Sequence, residues 1–382
     1  MTFITDVISI NIIVFFIVAR MINVLFNVSV NDDNFNAQSL NARDIALRLH
    51  SDRFTSTLFL GWNQKLDPRL KEKKNIKIMH MPRRGGSLMQ LREMLLGNYD
   101  AIVYPAQNPR VASLFWKLKP LARKRLTVEP IEVSFEQAHK LPSRQSKTLF
   151  QSIHKSDVTI PITDAIRNDF INNLGISGPT IPVGVDTSFF KFVDRRGHQP
   201  PCKVIFVGTI QERKRPHLIL EIAANNLDKQ IEFHLIGGPN SDAAVNYMKK
   251  LMAMKERQNL KNVFFHGPKS QIEIRDMMTQ SDIFILPSRF EGLPKVTLEA
   301  AATGLPCIVF ADYNTPSVID GVTGFVVSTE EEMAMRLKLL ISNIEQRLTM
   351  GVAGARHVQS YDWVNIAHLW EQMLENEFLK KA

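Results

Sequence analysis

The sequence predicts an α/β protein with room for two domains, and three observations carry that prediction. Ser281 to Ser288 and Leu305 to Phe310 are short apolar runs, and between them stand a glycine-containing turn and a stretch of helix-forming residues. Strand, turn, helix and strand in that order make a βαβ unit, which belongs in a parallel sheet. The 382 residues and 45% hydrophobic content suffice for two globular cores. The stretch Asp194-Arg195-Arg196-Gly197-His198-Gln199-Pro200-Pro201 has the composition of a linker and marks a boundary between two halves.

In chain order, the first element is an apolar run from Val7 to Ala19, broken by Ser9 and Asn11 and followed by Arg20. Spanning a bilayer takes about 20 apolar residues, so the run is short for an anchor. No basic region precedes it, as a secretory signal would require. A membrane anchor with Arg20 on the cytoplasmic side and a dispensable extension before a start at Met21 stand side by side as readings. Asn23 to Val30 follows as the first strand, apolar on both faces as a buried parallel strand should be. Ala42, Ile45, Ala46 and Leu49 recur at helical spacing. Asp100 to Tyr104 and Val158 to Ile162 read as later strands, and Val204 to Ile210 opens the second half. Near the C-terminus, Trp363, Ile366, Leu369, Trp370 and Met373 put a helix over about Tyr361 to Leu379.

Two glutamates with seven residues between them, Glu291 and Glu299, are the chain's most informative pair. Pro294 suits a first helical turn, where a missing N–H costs nothing, and Gly304 followed by Pro306 supplies the stop. Glu291 therefore lies just before a short helix, beside its unpaired N–H groups. Glu299 lies within it among Val296, Leu298, Ala300, Ala301 and Ala302. One reading has Glu291 favouring the helix dipole and Glu299 facing water. The other has both carboxylates meeting hydroxyl groups or a cation, since ligands of open α/β sheets bind at the carboxyl ends of strands, where Glu291 sits.

These residues resemble the E-x7-E signature of the group 1 retaining glycosyltransferases, which have the GT-B fold. Four further segments match in the family's order: Ile181 to Phe190; Val204 to Ile210 with Glu212-Arg213-Lys214-Arg215-Pro216; Phe264-Phe265-His266-Gly267; and Gly321-Val322-Thr323-Gly324-Phe325. The likeness covers the chain from about residue 155 onward. It implies two Rossmann-like domains facing across a cleft, with a C-terminal helix crossing back to the first. The expected boundaries are a hydrophobic extension 1–22, an acceptor domain 23–195, a nucleotide-sugar donor domain 196–355 and a crossover helix 356–382.

The resemblance also implies a chemistry. Arg213 and Lys214, in the loop after the strand that ends near Gly208, would neutralise the leaving diphosphate. The Arg common beside the loop glycine is here Thr209. Glu299 would accept hydrogen bonds from ribose hydroxyls and Glu291 from the donor sugar, with amides of Gly292, Leu293 and Lys295 beside the sugar or β-phosphate. Pro294 replaces a glycine of many relatives and cannot donate. Gly267 and Pro268 either flank the base or form a plain turn. From the first domain many relatives present a His; Glu129 is the candidate here, with Glu132, Glu136 and His139 behind it. The glycine pair usual after strand one is replaced by Asn31 to Asn36. Transfer would proceed with retention, from a nucleotide-diphosphate sugar as co-substrate, without a cofactor or obligatory metal, to a glycan or lipid-linked acceptor. A sugar-nucleotide epimerase and a non-catalytic membrane-associated scaffold are the competing functions.

Composition limits the partners. The formal net charge is +9, and two basic groups stand out in the first half: Arg69 to Arg84, and Lys117 to Arg125 interleaved with Phe115 and Trp116. They read either as solvated helix faces or as attraction to an anionic membrane surface. No nucleic-acid recognition motif accompanies them. The two cysteines, Cys202 and Cys307, read as reduced, and the expected location is the cytoplasm, including the inner face of the plasma membrane.

Overall fold

The computed structural model describes residues 20–30, 37–225, 230–313 and 315–381. The expectations for residues 1–19 and for the Asn31–Asn36 loop lie outside the described residues. Two compact units divide the chain: one runs to Pro182 and resumes at Trp363, and the other is Val183–Asp362.

Unit 1 contains β1 (Ile22–Ser29), β2 (Phe54–Leu60), β3 (Ile76–His80), β4 (Ala101–Val103), β5 (Leu126–Ile131) and β6 (Val158–Pro161). They form one parallel sheet in the order β3-β2-β1-β4-β5-β6. Unit 2 contains β7 (Cys202–Val207), β8 (Ile231–Ile236), β9 (Val263–Phe265), β10 (Ile283–Leu286), β11 (Cys307–Phe310) and β12 (Gly324–Val327). Their order, β12-β11-β10-β7-β8-β9, repeats the topology of unit 1. Both sheets are doubly wound, with the order reversing between β1 and β4 and between β7 and β10; such switch points leave a crevice at the carboxyl ends of the strands. The strands are buried on both faces, as their unbroken apolar runs require: Ile283 to Leu286 and Cys307 to Val309 are all 0% exposed.

The unit boundaries differ from those the sequence predicts. The segment 194–201 is not a linker between the halves, because Arg195 is 5% exposed and spends its guanidinium on backbone carbonyls of unit 2. Its nitrogens donate to the carbonyls of Ser281 (2.6 Å), Thr303 (2.5 Å), Met278 (2.9 Å) and Val193 (3.0 Å). Val185 and Phe190 are equally buried. The division therefore falls after Pro182 rather than after residue 195. At the other end, residues 356–362 stay with unit 2: Val185 bridges Asp362 in parallel, and its N–H donates to the Tyr361 carbonyl at 2.9 Å. The last helix, Trp363–Lys381, joins unit 1. It buries Trp363, Ile366, Trp370 and Leu374, and its Glu371 accepts from the His50 backbone N–H at 2.7 Å.

The largest correction inside unit 1 concerns Glu129. It does not end a strand: β5 continues through Pro130 and Ile131, and Glu129 pairs with Thr159 of β6. Pro130 is tolerated because β4 stops at Val103, opposite Val128, so no neighbour on that side asks for its N–H. Glu129 is 2% exposed, and its Oε2 accepts from the Ser152 hydroxyl (2.5 Å) and the Ala106 N–H (3.0 Å). Burial outweighs these hydrogen bonds and raises its pKa from 4.5 to about 8. A carboxyl whose pKa is raised on folding contributes stability that is full below pH 4.5 and is lost as the pH rises toward 8. Glu129→Gln, which mimics the protonated group, should remove that loss. All four tryptophans lie in unit 1, so the midpoint of thermal unfolding followed by their emission should fall from pH 5 to pH 8 more steeply in wild type than in Glu129→Gln. Parallel pH profiles would contradict the assignment.

Candidate functional site at the switch point of unit 2

β7 and β10 are hydrogen-bonded neighbours, Ile283 opposite Val204 and Phe284 opposite Ile205. The loops that leave their carboxyl ends are consequently adjacent, and backbone contacts stitch them together. The Arg289 N–H donates to the Arg213 carbonyl at 3.0 Å, the Arg213 guanidinium to the Phe290 carbonyl at 2.6 Å, and Arg215 Nε to the Pro287 carbonyl at 2.8 Å. Arg215, which the sequence reading passed over, closes the 3₁₀ turn Glu212–Lys214 with φ +49° and lies over the Phe310 ring at 4.0 Å. A non-glycine residue in that region is strained, and its fixed guanidinium holds it there. Pro216 then starts the next helix, so Arg213 and Lys214 are aimed by a short, over-determined turn.

Glu291 is the focus. Its Oε1 receives Lys214 Nζ (2.5 Å), the Ser288 hydroxyl (2.5 Å) and Arg213 Nη1 (3.1 Å). Among the described residues its Oε2 has no protein partner. The Glu291 and Lys214 side chains are 10% and 11% exposed. Burial alone would raise the pKa of Glu291, but Lys214 and then Arg213 overcome it and hold the carboxyl below its ordinary range. Burial lowers the pKa of Lys214, only partly opposed by the charge of Glu291. Tyr313, missed in the sequence, is buried close enough to feel that carboxylate, and its hydroxyl has no partner.

The helix after Glu291 is Lys295–Ala302, with Pro294 as its N-cap rather than its first residue. Its start is pinned by buried hydroxyls: Thr297 Oγ1 donates to the Pro294 carbonyl at 2.7 Å and lies 2.6 Å from Ser317 Oγ. Gly304 follows its end with φ +86°, as expected of a helix stop. Among the described residues the N–H groups of Gly292 and Leu293 meet no backbone acceptor, while Lys295 begins the helix. Glu299 is half-buried in that helix, between the fully buried Leu298 and Ala300.

Gly208 follows β7, and Gly267 follows β9 two strands away. They are joined through Gly237, which the sequence reading did not single out. Gly237 has φ +133°, its N–H donates to the Gly267 carbonyl at 2.9 Å, and a Cβ there would stand 1.9 Å from the Gly208 carbonyl oxygen. Only glycine fits. Gly208, Arg213, Lys214, Glu291, Gly292, Leu293 and Lys295 are thus gathered at one sheet edge.

The first-unit candidates are not so gathered. Glu129 is enclosed, as described above. Glu136 pairs with Lys140 on an exposed helix face, and His139 packs its ring on Phe135 and Phe150. Glu132 is the residue just past the end of β5, where its Oε1 accepts from Tyr104 (2.9 Å) and Asn41 (3.1 Å). Of the four it alone is half-buried at a strand's carboxyl end. Both cysteines are free thiols, and among the described residues no helix is long and apolar enough to cross a membrane.

Comparison with known proteins shows what the chain resembles. Residues 191–357 match the family described as glycosyl transferases group 1. The chain is 32% identical over 169 residues to a D-inositol 3-phosphate glycosyltransferase of Streptomyces griseus, covering 42% of this chain and 36% of the relative. With the enzyme of that name from Kribbella flavida it shares 27% identity over 233 residues, 56% of this chain and 55% of the relative. The chain thus spans about a third to a half of the length of these relatives. The fold resembles Anabaena HepE in complex with UDP and glucose, with a TM-score of 0.74 at 19% identity, over 93% of this chain and 99% of that one. Sucrose-phosphate synthase from Thermosynechococcus elongatus gives 0.73 at 18% identity, over 94% and 100%. The chain has the GT-B fold, and its segment 191–357 matches the group 1 glycosyl transferases.

Proposed function

We propose that the chain transfers a sugar from a nucleotide-diphosphate donor to a hydroxyl acceptor with retention of configuration, in the synthesis of a cell-envelope glycan, glycolipid or polysaccharide on the cytoplasmic side. The observation that carries the reading is the division of labour at Glu291. One carboxylate oxygen is saturated by Lys214, Arg213 and Ser288, which fixes the group, and the other is left to accept from sugar hydroxyls. Arg213 and Lys214 present positive charge where a diphosphate would lie, beside the unused amides of Gly292 and Leu293. Glu299 accepts from the ribose, and Gly267 flanks the base.

In the reaction the bond from the anomeric carbon to the diphosphate oxygen breaks and a bond to the acceptor oxygen forms on the same face. The electron pair goes to the diphosphate, and the acceptor proton follows it to a phosphate oxygen. Arg213 and Lys214 stabilise the charge that develops on the leaving group, so the protein supplies the cations and no obligatory metal is needed. Support for retention comes from the family alone.

An anionic membrane surface suits unit 1. Leu88 and Leu96 on the helix Gly86–Leu96, and Leu114 and Leu121 on and after the helix Pro109–Leu118, are 70%, 76%, 43% and 86% exposed. Arg92, Lys117, Arg123 and Lys124 are exposed among them. Leucines flanked by cations are the pattern of a peripheral face. Vesicles containing phosphatidylserine should carry the full chain upward in a flotation gradient, and Leu96→Asp with Leu121→Asp should abolish it. Equal flotation of both proteins would remove this surface.

For the transfer itself, product formation is measured against a panel of nucleotide sugars, with the anomer read by proton NMR. Glu291→Gln and Lys214→Ala should each reduce the rate by about 10²-fold or more, with circular dichroism unchanged, and chelation should leave wild type active. Wild-type turnover in either variant would overturn the site.

A further inference from the structure

At the edge of the unit 2 sheet opposite Glu291, a cavity of about 520 Å³ opens between the segment 192–196 and the helix Ile344–His357. Asp282, just before β10, and Gly304, shortly before β11, put it at the amino ends of the strands. Ligands of open α/β sheets collect at the other edge, so the switch point does not account for this opening. Its walls are apolar. Phe192 and Val352 are 47% and 36% exposed, and Val193, Leu348 and Ala353 complete the lining. The Phe192 ring is seated on Gly304, where a Cβ would come within 2.8 Å of it.

The charge around the opening is unbalanced. Four arginines line it, Arg195, Arg196, Arg347 and Arg356, against two aspartates, and both aspartates are already engaged. Asp194 is ion-paired with Arg196, whose Nε donates to it at 2.8 Å. Asp282, 3% exposed, accepts from the Lys203 N–H at 2.9 Å and lies 3.0 Å from His198 Nδ1. Arg195 is held by the carbonyls described above. Arg347 and Arg356 remain. Arg356 is exposed at the rim, with no ion-pair partner among the described residues.

Arg347 is the more telling of the two, because it is 8% exposed. Its Nη1 donates to the carbonyls of Leu340 (2.7 Å) and Ile341 (3.2 Å), near the end of the helix Glu330–Ser342. Those two bonds use both protons of Nη1. Its Nε and Nη2 meet no acceptor among the described residues, and neither is sealed away from the opening. That edge of a guanidinium presents two parallel N–H groups, the geometry that grips a carboxylate or a phosphate through two oxygens. A cation so buried, with no counter-charge, is costly unless an anion meets it.

We infer that this cavity is a second ligand site, which takes an oxyanion carried on an apolar chain. Arg347 holds the anionic head with its free edge, Arg356 adds charge at the rim, and Phe192, Leu348 and Val352 cover the chain. A bare anion would leave the apolar walls in water, and a neutral alcohol would leave the Arg347 edge unmet. The size is within the range of small-molecule pockets. A fatty carboxylate and the phosphate of a lipid share this chemistry. The site lies across the sheet from Glu291 and does not depend on the transferase reading.

Equilibrium dialysis of the full chain against octanoate and octyl phosphate, each radiolabelled, tests it, with 1-octanol, acetate and uridine diphosphate as competitors. At least one of the two labelled anions should bind, and octanol and acetate should each compete at least tenfold less well than that anion unlabelled. Tighter binding of octanoate assigns the head as a carboxylate, and tighter binding of octyl phosphate assigns it as a phosphate. Excess uridine diphosphate should displace neither. Arg347→Lys keeps a cation and a donor for the two carbonyls but lacks the paired N–H edge, and should weaken binding about tenfold. Val352→Asp, a change at an exposed side chain, sets a carboxylate in the wall and should abolish binding. The site is overturned if neither anion binds, if octanol competes as well as the anion, if uridine diphosphate displaces it, or if Arg347→Lys or Val352→Asp binds as wild type.

Discussion

The candidate site depends on one buried ion cluster, the carboxylate of Glu291 against Lys214 and Arg213. Burial penalises both charges, and neither would be tolerated there alone. Their mutual attraction, with the Ser288 hydroxyl as third donor, keeps Glu291 ionised. The arrangement exists because β7 and β10 are neighbours, so the loop bearing the cations and the loop bearing the carboxylate emerge side by side. Arg215 helps to hold those loops in place. Its guanidinium reaches the Pro287 carbonyl and the Phe310 ring, while Arg213 is nearly half exposed at the rim.

The same strand order occurs in both units. In unit 2 the switch point carries a fixed cation–carboxylate set, which relies on side-chain charge brought in by a strained turn.

Much of unit 2 was legible in the sequence, because its signals are local. Short apolar runs reported strands buried on both faces, Pro294 and Gly304 bracketed a helix, and the placement of Glu291 beside its start followed directly. The long-range features were not legible. A run of Asp, Arg, Gly and Pro around residue 195 has linker composition, yet Arg195 is one of the most buried cations of unit 2, because three carbonyls converge on it from segments 83 to 108 residues away. Pro130 argues against a central strand, yet β5 runs through it because β4 stops at Val103, and Glu129 lies enclosed within that strand. Gly237 carries no local signal, because what it requires is a close approach set by the sheet order.

The central claim is that Arg213 and Lys214, organised by Glu291, form a diphosphate site. Its most direct test is calorimetric titration of the full chain with nucleoside diphosphates and with the corresponding nucleosides, in wild type and in Lys214→Met. The account predicts that at least one diphosphate binds about a hundredfold more tightly than its nucleoside, a difference of about 2.7 kcal/mol, and that Lys214→Met removes most of that advantage. Equal affinities for diphosphate and nucleoside in wild type, or an advantage undiminished in Lys214→Met, would contradict it.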